Sequence, residues 1–232
     1  MALGRDYQGQ DCSLARTLEV VGERWTLLVL RDCLFGVRRF SDLRQRLDIP
    51  RGVLATRLAT LVDEGLLQRR LYRPGREEYL PTEQALALWP SIYALMQWGE
   101  QYRGNEQGRR RLFRHVSCPA QSADPTDAQI RPDGLCPACG ARPGPGELEM
   151  RPGPGYDPTV GDDEVTRALR APHRLLAPLP TPAEDDSGGG LTYDFTVKQA
   201  ALANGGARAR STGLSSPRGG TADIPSGKPV GA

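Results

Sequence analysis

Four side chains in the second half of the chain have the types and spacing of metal ligands. Two residues separate His115 from Cys118, and two separate Cys136 from Cys139. Imidazole and thiolate are favoured zinc donors, and two such pairs could together hold one tetrahedral ion. Cys136-Pro137-Ala138-Cys139-Gly140 has the form of a zinc knuckle. The first pair departs from that form, because it is a His-Cys pair and Pro119 follows Cys118 in place of glycine. With no spare carboxylate to activate water, such a zinc would be structural; no other cofactor is required. Two alternatives stay open: a thiol-redox pair at the Cys-x-x-Cys, or a simple folded strand pair. A thioredoxin-like pair is expected to open a helix in a βαβ setting, whereas glycines and prolines flank this one. Acid–base catalysis has few candidates, since the chain has two histidines, His173 is isolated, and no carboxylates converge. No catalytic residue is assigned, and an enzyme is not expected.

A second set of residues suits nucleic-acid recognition. Arg51, Thr56, Arg57 and Thr60 occupy the outer positions of a segment whose inner positions are Leu54, Leu58, Leu61 and Val62. Arginine can read a guanine edge with two hydrogen bonds, and threonine can meet a methyl group or a phosphate. Arg73 and Arg76 flank Pro74-Gly75, a turn composition that would hold both near phosphates. Cys12 lies just before a helical stretch. There the positive helix end favours a thiolate, and Arg16 could assist, so Cys12 is a candidate sensor. It could equally be a small residue packed under the helix start.

The stretch from Phe40 to Leu80 must position the DNA-reading residues. Phe40 to Leu47 reads as a short helix with Leu43 and Leu47 on one face, Ser41 available as a cap and Asp42 at the positive end. Asp48-Ile49-Pro50 turns the chain, and Pro50 suits the first turn of a second helix. That helix runs from Arg51 to Glu64, and Gly65 stops it. Leu66 to Leu80 alternates as a two-stranded wing around Arg73-Pro74-Gly75-Arg76. A helix pair with a wing can place its second helix in a DNA major groove.

Flanking elements complete the domain. Residues 13 to 35 read as one long helix with an apolar stripe through Leu14, Leu18, Val21, Trp25 and Leu28, Cys33 in the core, and Glu23, Arg24 and Asp32 outward. Residues 83 to 102 form another helix, capped by Thr82 and kinked at Pro90. Its apolar surplus suggests a partner subunit, with Leu14, Trp89, Ile92 and Met96 as dimer contacts. Arg109-Arg110-Arg111 could add a phosphate contact or be a solvated charge run.

Cys12 to Glu19, Val21-Gly22-Glu23-Arg24-Trp25-Thr26-Leu27-Leu28, Gly36 to Leu43, Val53 to Leu58, Leu61 to Leu67 and Trp98-Gly99 together resemble the HxlR-type winged helix-turn-helix transcription regulators over residues 11 to 103. The resemblance implies a homodimeric bacterial repressor or activator on an imperfect palindrome. It implies dimer contacts from the first and last helices, and a recognition helix from Arg51 to Glu64. Some relatives sense oxidants or electrophiles with a cysteine at the position of Cys12. Pro81 and Ala85 depart from the family pattern at the junction between wing and helix, away from the reading residues.

The expected architecture is mainly α with a small β wing. Residues 1–10 are a flexible N-terminus and 11–103 the winged helix-turn-helix domain. Residues 104–177 form an irregular Cys/Pro/Gly-rich appendage, zinc-ribbon-like if metal binds. Residues 178–232 are a largely disordered tail, with one strand-like stretch at Leu191 to Val197. The 232 residues carry 30 basic and 28 acidic side chains. Residues 1–114 hold 19 basic and 14 acidic groups and the remainder 11 and 14, so the front half is mildly suited to nucleic acid. No signal peptide or membrane-length apolar run is visible. The expectation is a cytoplasmic, nucleoid-associated regulator of double-stranded DNA, acting as a homodimer and answering a small-molecule or oxidant effector. The alternative from another class is a protein-interaction module without DNA binding.

Overall fold

The computed structural model describes residue 7, residues 9–120 and residues 129–179. Apart from Pro178 and Leu179, the tail read as disordered lies outside the described residues, as does the strand-like stretch from Leu191. The described chain is mostly helical, with an antiparallel wing and a second small sheet. Its order is α1 (Ser13–Val21), α2 (Thr26–Leu34), α3 (Phe40–Leu47), α4 (Arg51–Asp63), β1 (Leu67–Arg73), β2 (Arg76–Pro81), α5 (Glu83–Ala87), α6 (Trp89–Arg103), β3 (Arg111–His115), β4 (Leu148–Pro152), α7 (Glu164–Ala168) and β5 (His173–Arg174).

The helix expected over 13–35 is two helices. Gly22 N–H closes α1 on Leu18 O at 2.8 Å, and Glu23 to Trp25 form a turn before α2. The two segments have different partners, which explains the break. Val29, Leu30, Cys33 and Leu34 of α2 are buried, whereas Leu14 and Leu18 of α1 are exposed. Asp32, expected outward, is wholly buried and paired with Arg31 at 2.7 Å. It lies on a helix that the core covers on most sides. Burial pushes the Cys33 thiol up, so it is protonated packing material.

Ser41 does not cap α3. Arg39 is the N-cap residue, and the Ser41 hydroxyl, inside the helix, bonds Asp42 at 2.9 Å. Asp48 turns the chain in the left-handed region with φ 47° and Ile49 is buried beyond it. Pro50, expected in the first turn of α4, is its N-cap. The last helical stretch is also divided. Thr82 caps α5 by accepting from Ala85 N–H at 3.4 Å, and Pro90 opens α6, where its missing N–H costs nothing.

The appendage read as irregular contains a three-stranded antiparallel sheet in the order β3-β4-β5, with Phe113 opposite Met150 and His115 opposite Leu148. Its described buried apolar residues join the core of the winged helix. Phe113 packs its ring against Phe35, Trp89 and Tyr93 at centroid distances of 6.1, 5.5 and 5.5 Å. Met150, Leu148, Leu169 and Leu176 belong to the same buried cluster as Leu30, Leu43 and Leu58. Polar ties follow the packing. Leu176 N–H donates to Leu34 O at 2.9 Å, Arg38 to Leu176 O at 2.6 Å, and Arg46 to Thr166 Oγ1 at 3.1 Å. Gly36 has φ +89°, and a Cβ there would lie 1.9 Å from Ala177 O, so this contact requires glycine. Trp89 and Ile92, expected at a dimer face, are each 4% exposed. The distant strand β3 has taken up that surface.

Candidate nucleic-acid interface and metal centre

Helix α4 turns Leu54, Leu58 and Leu61 inward and leaves Arg51, Gly52, Val53, Ala55 and Thr56 exposed. This is the geometry a second helix of a helix-turn-helix needs. The guanidinium of Arg51 lies 5.4 Å from the Phe40 ring centroid, which fixes it at the helix start. Thr56 Oγ1 donates to Gly52 O and Thr60 Oγ1 to Thr56 O, both at 3.0 Å. Their hydroxyl protons are therefore engaged within the helix. Thr60 is half-buried.

Arg57, expected outward, does not project freely. Its side chain is 11% exposed, with Nη2 3.5 Å from Glu23 Oε1 in the turn between α1 and α2. That ion pair spans a turn that the single-helix reading did not contain. Gly52, Val53 and Ala55 were not selected from sequence, although the same helical periodicity that hides Leu54 and Leu58 exposes them. A Cβ added at Gly52 would meet nothing within 4 Å, so internal packing does not demand the glycine.

The wing is a two-stranded ribbon with Arg69 opposite Tyr79 and Arg70 opposite Glu78. Gly75 takes φ +69° at its tip, and Arg73 and Arg76 are exposed beside it. Arginines on and beside the wing make ordered contacts. Arg70 Nε donates to Glu78 Oε1 at 2.7 Å, Arg69 lies 3.9 Å from Glu77, and Arg39 stacks 4.6 Å from the Tyr72 centroid. Tyr79 N–H donates to Arg38 O at 2.8 Å, tying the wing to the segment before α3. In the run from Arg109 to Arg111, Arg110 pairs with Glu100 at 3.1 Å and Arg111 donates to Leu169 O at 2.6 Å. The first holds the appendage to α6, and the second ties β3 to the end of α7 within the appendage.

Exposed apolar side chains gather on two other helices. Helix α1 presents Leu14, 64% exposed, and Leu18; α6 presents Leu95, Trp98 and Tyr102, each more than half exposed. Leu95, Trp98 and Tyr102 share one helical face by their spacing, and the last two stack at 5.3 Å. Met96 is half-buried. Cys12 is the exposed N-cap residue of α1, and its side chain makes no capping bond.

His115, Cys118, Cys136 and Cys139 converge, with their ligand atoms within 4.8 Å of one another. His115 is the last residue of β3, and Val116 N–H donates to Glu147 O at 2.9 Å as the chain turns towards Cys118. Cys136 and Cys139 sit in a tight loop closed by Gly140 N–H to Cys136 O at 2.9 Å, with Gly140 at φ +71°. Burial works to raise the Cys136 thiol. Hydrogen bonds from the Cys139 N–H, His115 and the Ala138 N–H outweigh it and bring Cys136 down to about 7. The quartet thus combines ligand types, convergence and a ready thiolate, which can hold a tetrahedral metal.

The HxlR-like helix-turn-helix family model matches residues 20–107. An uncharacterized HTH-type transcriptional regulator of Mycobacterium tuberculosis is 41% identical over 156 residues, covering 66% of this chain and 92% of that protein. Wherever it begins, an alignment of that length spans the segment from His115 to Cys139. YdeP, an uncharacterized HTH-type transcriptional regulator of Bacillus subtilis, is 32% identical over 107 residues, covering 44% of this chain and 84% of that protein. Among solved structures, the redox regulator HypR in its oxidized form matches with 27% identity and a TM-score of 0.38, covering 40% of this chain and all of that one. Among the described residues, no helix is long and apolar enough to cross a membrane.

Proposed function

The chain belongs to the HxlR-like helix-turn-helix family of DNA-binding transcription regulators, and on that premise we propose that it is a homodimer that reads a palindromic operator with the exposed face of α4. The observation that carries this reading is that face itself. Arg51 and Thr56 are exposed at the start of a helix whose other side is locked into the core. Arg51 can read a guanine edge, and Val53, Ala55 and the Thr56 methyl suit a thymine methyl. Gly52 lets the helix backbone approach the groove closely. Arg57 has a different part. Held by Glu23, it orients α4 against the turn between α1 and α2, and it reaches DNA only if that pair opens. Arg73 and Arg76 at the wing tip supply attraction to phosphates rather than sequence preference.

The dimer is built from α1 and α6. Leu14, Leu18, Leu95, Trp98 and Tyr102 are apolar surface that a lone subunit leaves in water, and a second copy covers it. Trp89 and Ile92 back α6 from inside the subunit. Cys12, exposed at the start of α1, is placed to report an oxidant or electrophile by shifting that helix against the partner. The regulator works in the cytoplasm, on the nucleoid. A mobility-shift assay with fragments of bacterial genomic DNA tests the reading. Retardation of a subset of fragments, lost in Arg51→Ala with Thr56→Ala, is expected. Uniform weak retardation of every fragment, or none, would leave a protein-interaction module instead.

A further inference from the structure

We propose that His115, Cys118, Cys136 and Cys139 form a closed structural zinc site that pins the C-terminal sheet onto the winged helix. The proposal does not depend on DNA binding. It rests on the shape of the quartet. A tetrahedral zinc with bonds of about 2.3 Å to sulfur and about 2.0–2.1 Å to nitrogen sets ligand spacings of roughly 3.8 Å between two sulfurs and roughly 3.5 Å between sulfur and nitrogen. Cys118 Sγ and Cys136 Sγ are 3.8 Å apart, and Cys139 Sγ and His115 Nδ1 are 3.5 Å apart. The two pairs share no ligand, so they are opposite edges of one tetrahedron. All four ligand atoms fall within 4.8 Å of one another.

The surroundings fit the same ion. Ligation through Nδ1 keeps the imidazole proton on Nε2. That nitrogen is buried without a hydrogen-bond partner and lies 3.9 Å from Glu147 Oε1. A carboxylate near the outer nitrogen of a metal-bound histidine is a recurring orienting group. Glu147 is itself positioned, because its Oε2 accepts from Gly144 N–H at 2.9 Å. Three thiolates and an imidazole are a soft to borderline donor set that suits zinc and disfavours magnesium or calcium. Four protein donors leave no open position, as in structural rather than catalytic sites.

The ion has a mechanical role in this fold. The sheet it closes is small, with β5 only two residues long, and small modules of this kind draw stability from a bound metal. His115 ends the strand that delivers Phe113 into the ring cluster with Trp89 and Tyr93 of α6. The connection leading to Cys136 is fastened to the same helix, where Tyr93 Oη donates to Arg131 O at 3.1 Å. Zinc therefore joins two segments that both buttress α6.

The test uses the full chain, reduced and purified without a histidine tag. Zinc content is measured by mass spectrometry, and the spectrum is recorded after exchange to cobalt(II). Stoichiometric zinc and an intense visible cobalt spectrum with thiolate charge-transfer bands, both lost in Cys136→Ser and kept in Cys12→Ser, are the expected result. Should Cys136→Ser fail to fold, a mercurial thiol reagent on the wild-type protein, with a chromogenic chelator, must release one zinc per chain. Trace metal in the reduced wild type, a weak six-coordinate cobalt spectrum, or full zinc content in folded Cys136→Ser would overturn the site. These readouts contain no DNA, so they succeed or fail independently of the operator-binding reading.

Discussion

Replacing Phe113 by alanine should destabilise the winged helix together with the appendage, as one cooperative unit. Phe113 is 1% exposed, so truncation opens a cavity in the shared core. A buried Phe→Ala change costs about 3–5 kcal/mol. The upper part of that range applies, because Trp89 and Tyr93 both meet the ring edge-on, at interplanar angles of 68° and 81°, and such pairs add roughly 0.5–1.5 kcal/mol each. For a unit of this size the thermal midpoint should drop by roughly 10 °C. Phe113→Leu refills most of the volume and loses chiefly the ring pairs, for about 1–3 kcal/mol. The assay is urea unfolding of the full chain, followed by tryptophan fluorescence, which reports the neighbouring Trp89, and by far-ultraviolet circular dichroism. One transition, coincident by both probes and moved to lower urea, is expected. A loss below about 1 kcal/mol would refute the packing argument. So would two separate transitions of which only one moves, since the appendage would then be an independent domain.

Three further outcomes follow from the geometry. Gly52→Ala should stabilise the fold by up to about 1 kcal/mol, because its Cβ meets open space and alanine is the better helix former. Operator affinity should nevertheless fall, by roughly tenfold or more if a base contact worth about 1–3 kcal/mol is pushed away; unchanged affinity in a fluorescence-anisotropy titration would take Gly52 out of the interface. Leu95→Glu with Trp98→Glu should give folded monomers in sedimentation velocity, since an unpaired charge cannot be buried at an interface while one subunit already leaves both positions exposed; persistent dimers would move the interface elsewhere. Burial holds the His173 imidazole below its ordinary value. The unfolded chain therefore takes up the proton first, and the stability this group contributes is complete above about pH 6.5 and is lost as pH falls towards the depressed folded value. Thermal midpoints from pH 7.5 downwards should fall less steeply in His173→Gln than in the wild type, and parallel profiles would assign the acid sensitivity to other groups.

The helix-turn-helix and wing are legible in the sequence because their determinants are local. Leucines at helical spacing from Leu54 to Leu61 define the buried side of α4, and Gly65 and Gly75 stand where the backbone turns through positive φ. The spacing of the metal quartet is equally local, and only its closure needed the sheet. What could not be read depends on distant partners. A stripe such as Leu14 to Leu28 has the same periodicity whether it faces its own core or another subunit, so the break at Gly22 was invisible. The choice between Trp89 and Trp98 as outward residue was settled by Phe113, which follows both by more than a turn of chain. Arg57 reads as an outer residue of an amphipathic helix until Glu23 arrives from the turn before α2.

On the proposed reading, two copies of α4 enter successive major grooves on one face of an operator. Hydroxyl-radical and methylation-protection footprinting of a fragment selected by the protein tests it most directly. Guanine protection is expected in two major-groove tracts centred about one helical turn apart, with the protection lost at matching positions in Arg51→Ala. A single tract, protection confined to the minor groove, or an unaltered pattern in that variant would contradict it.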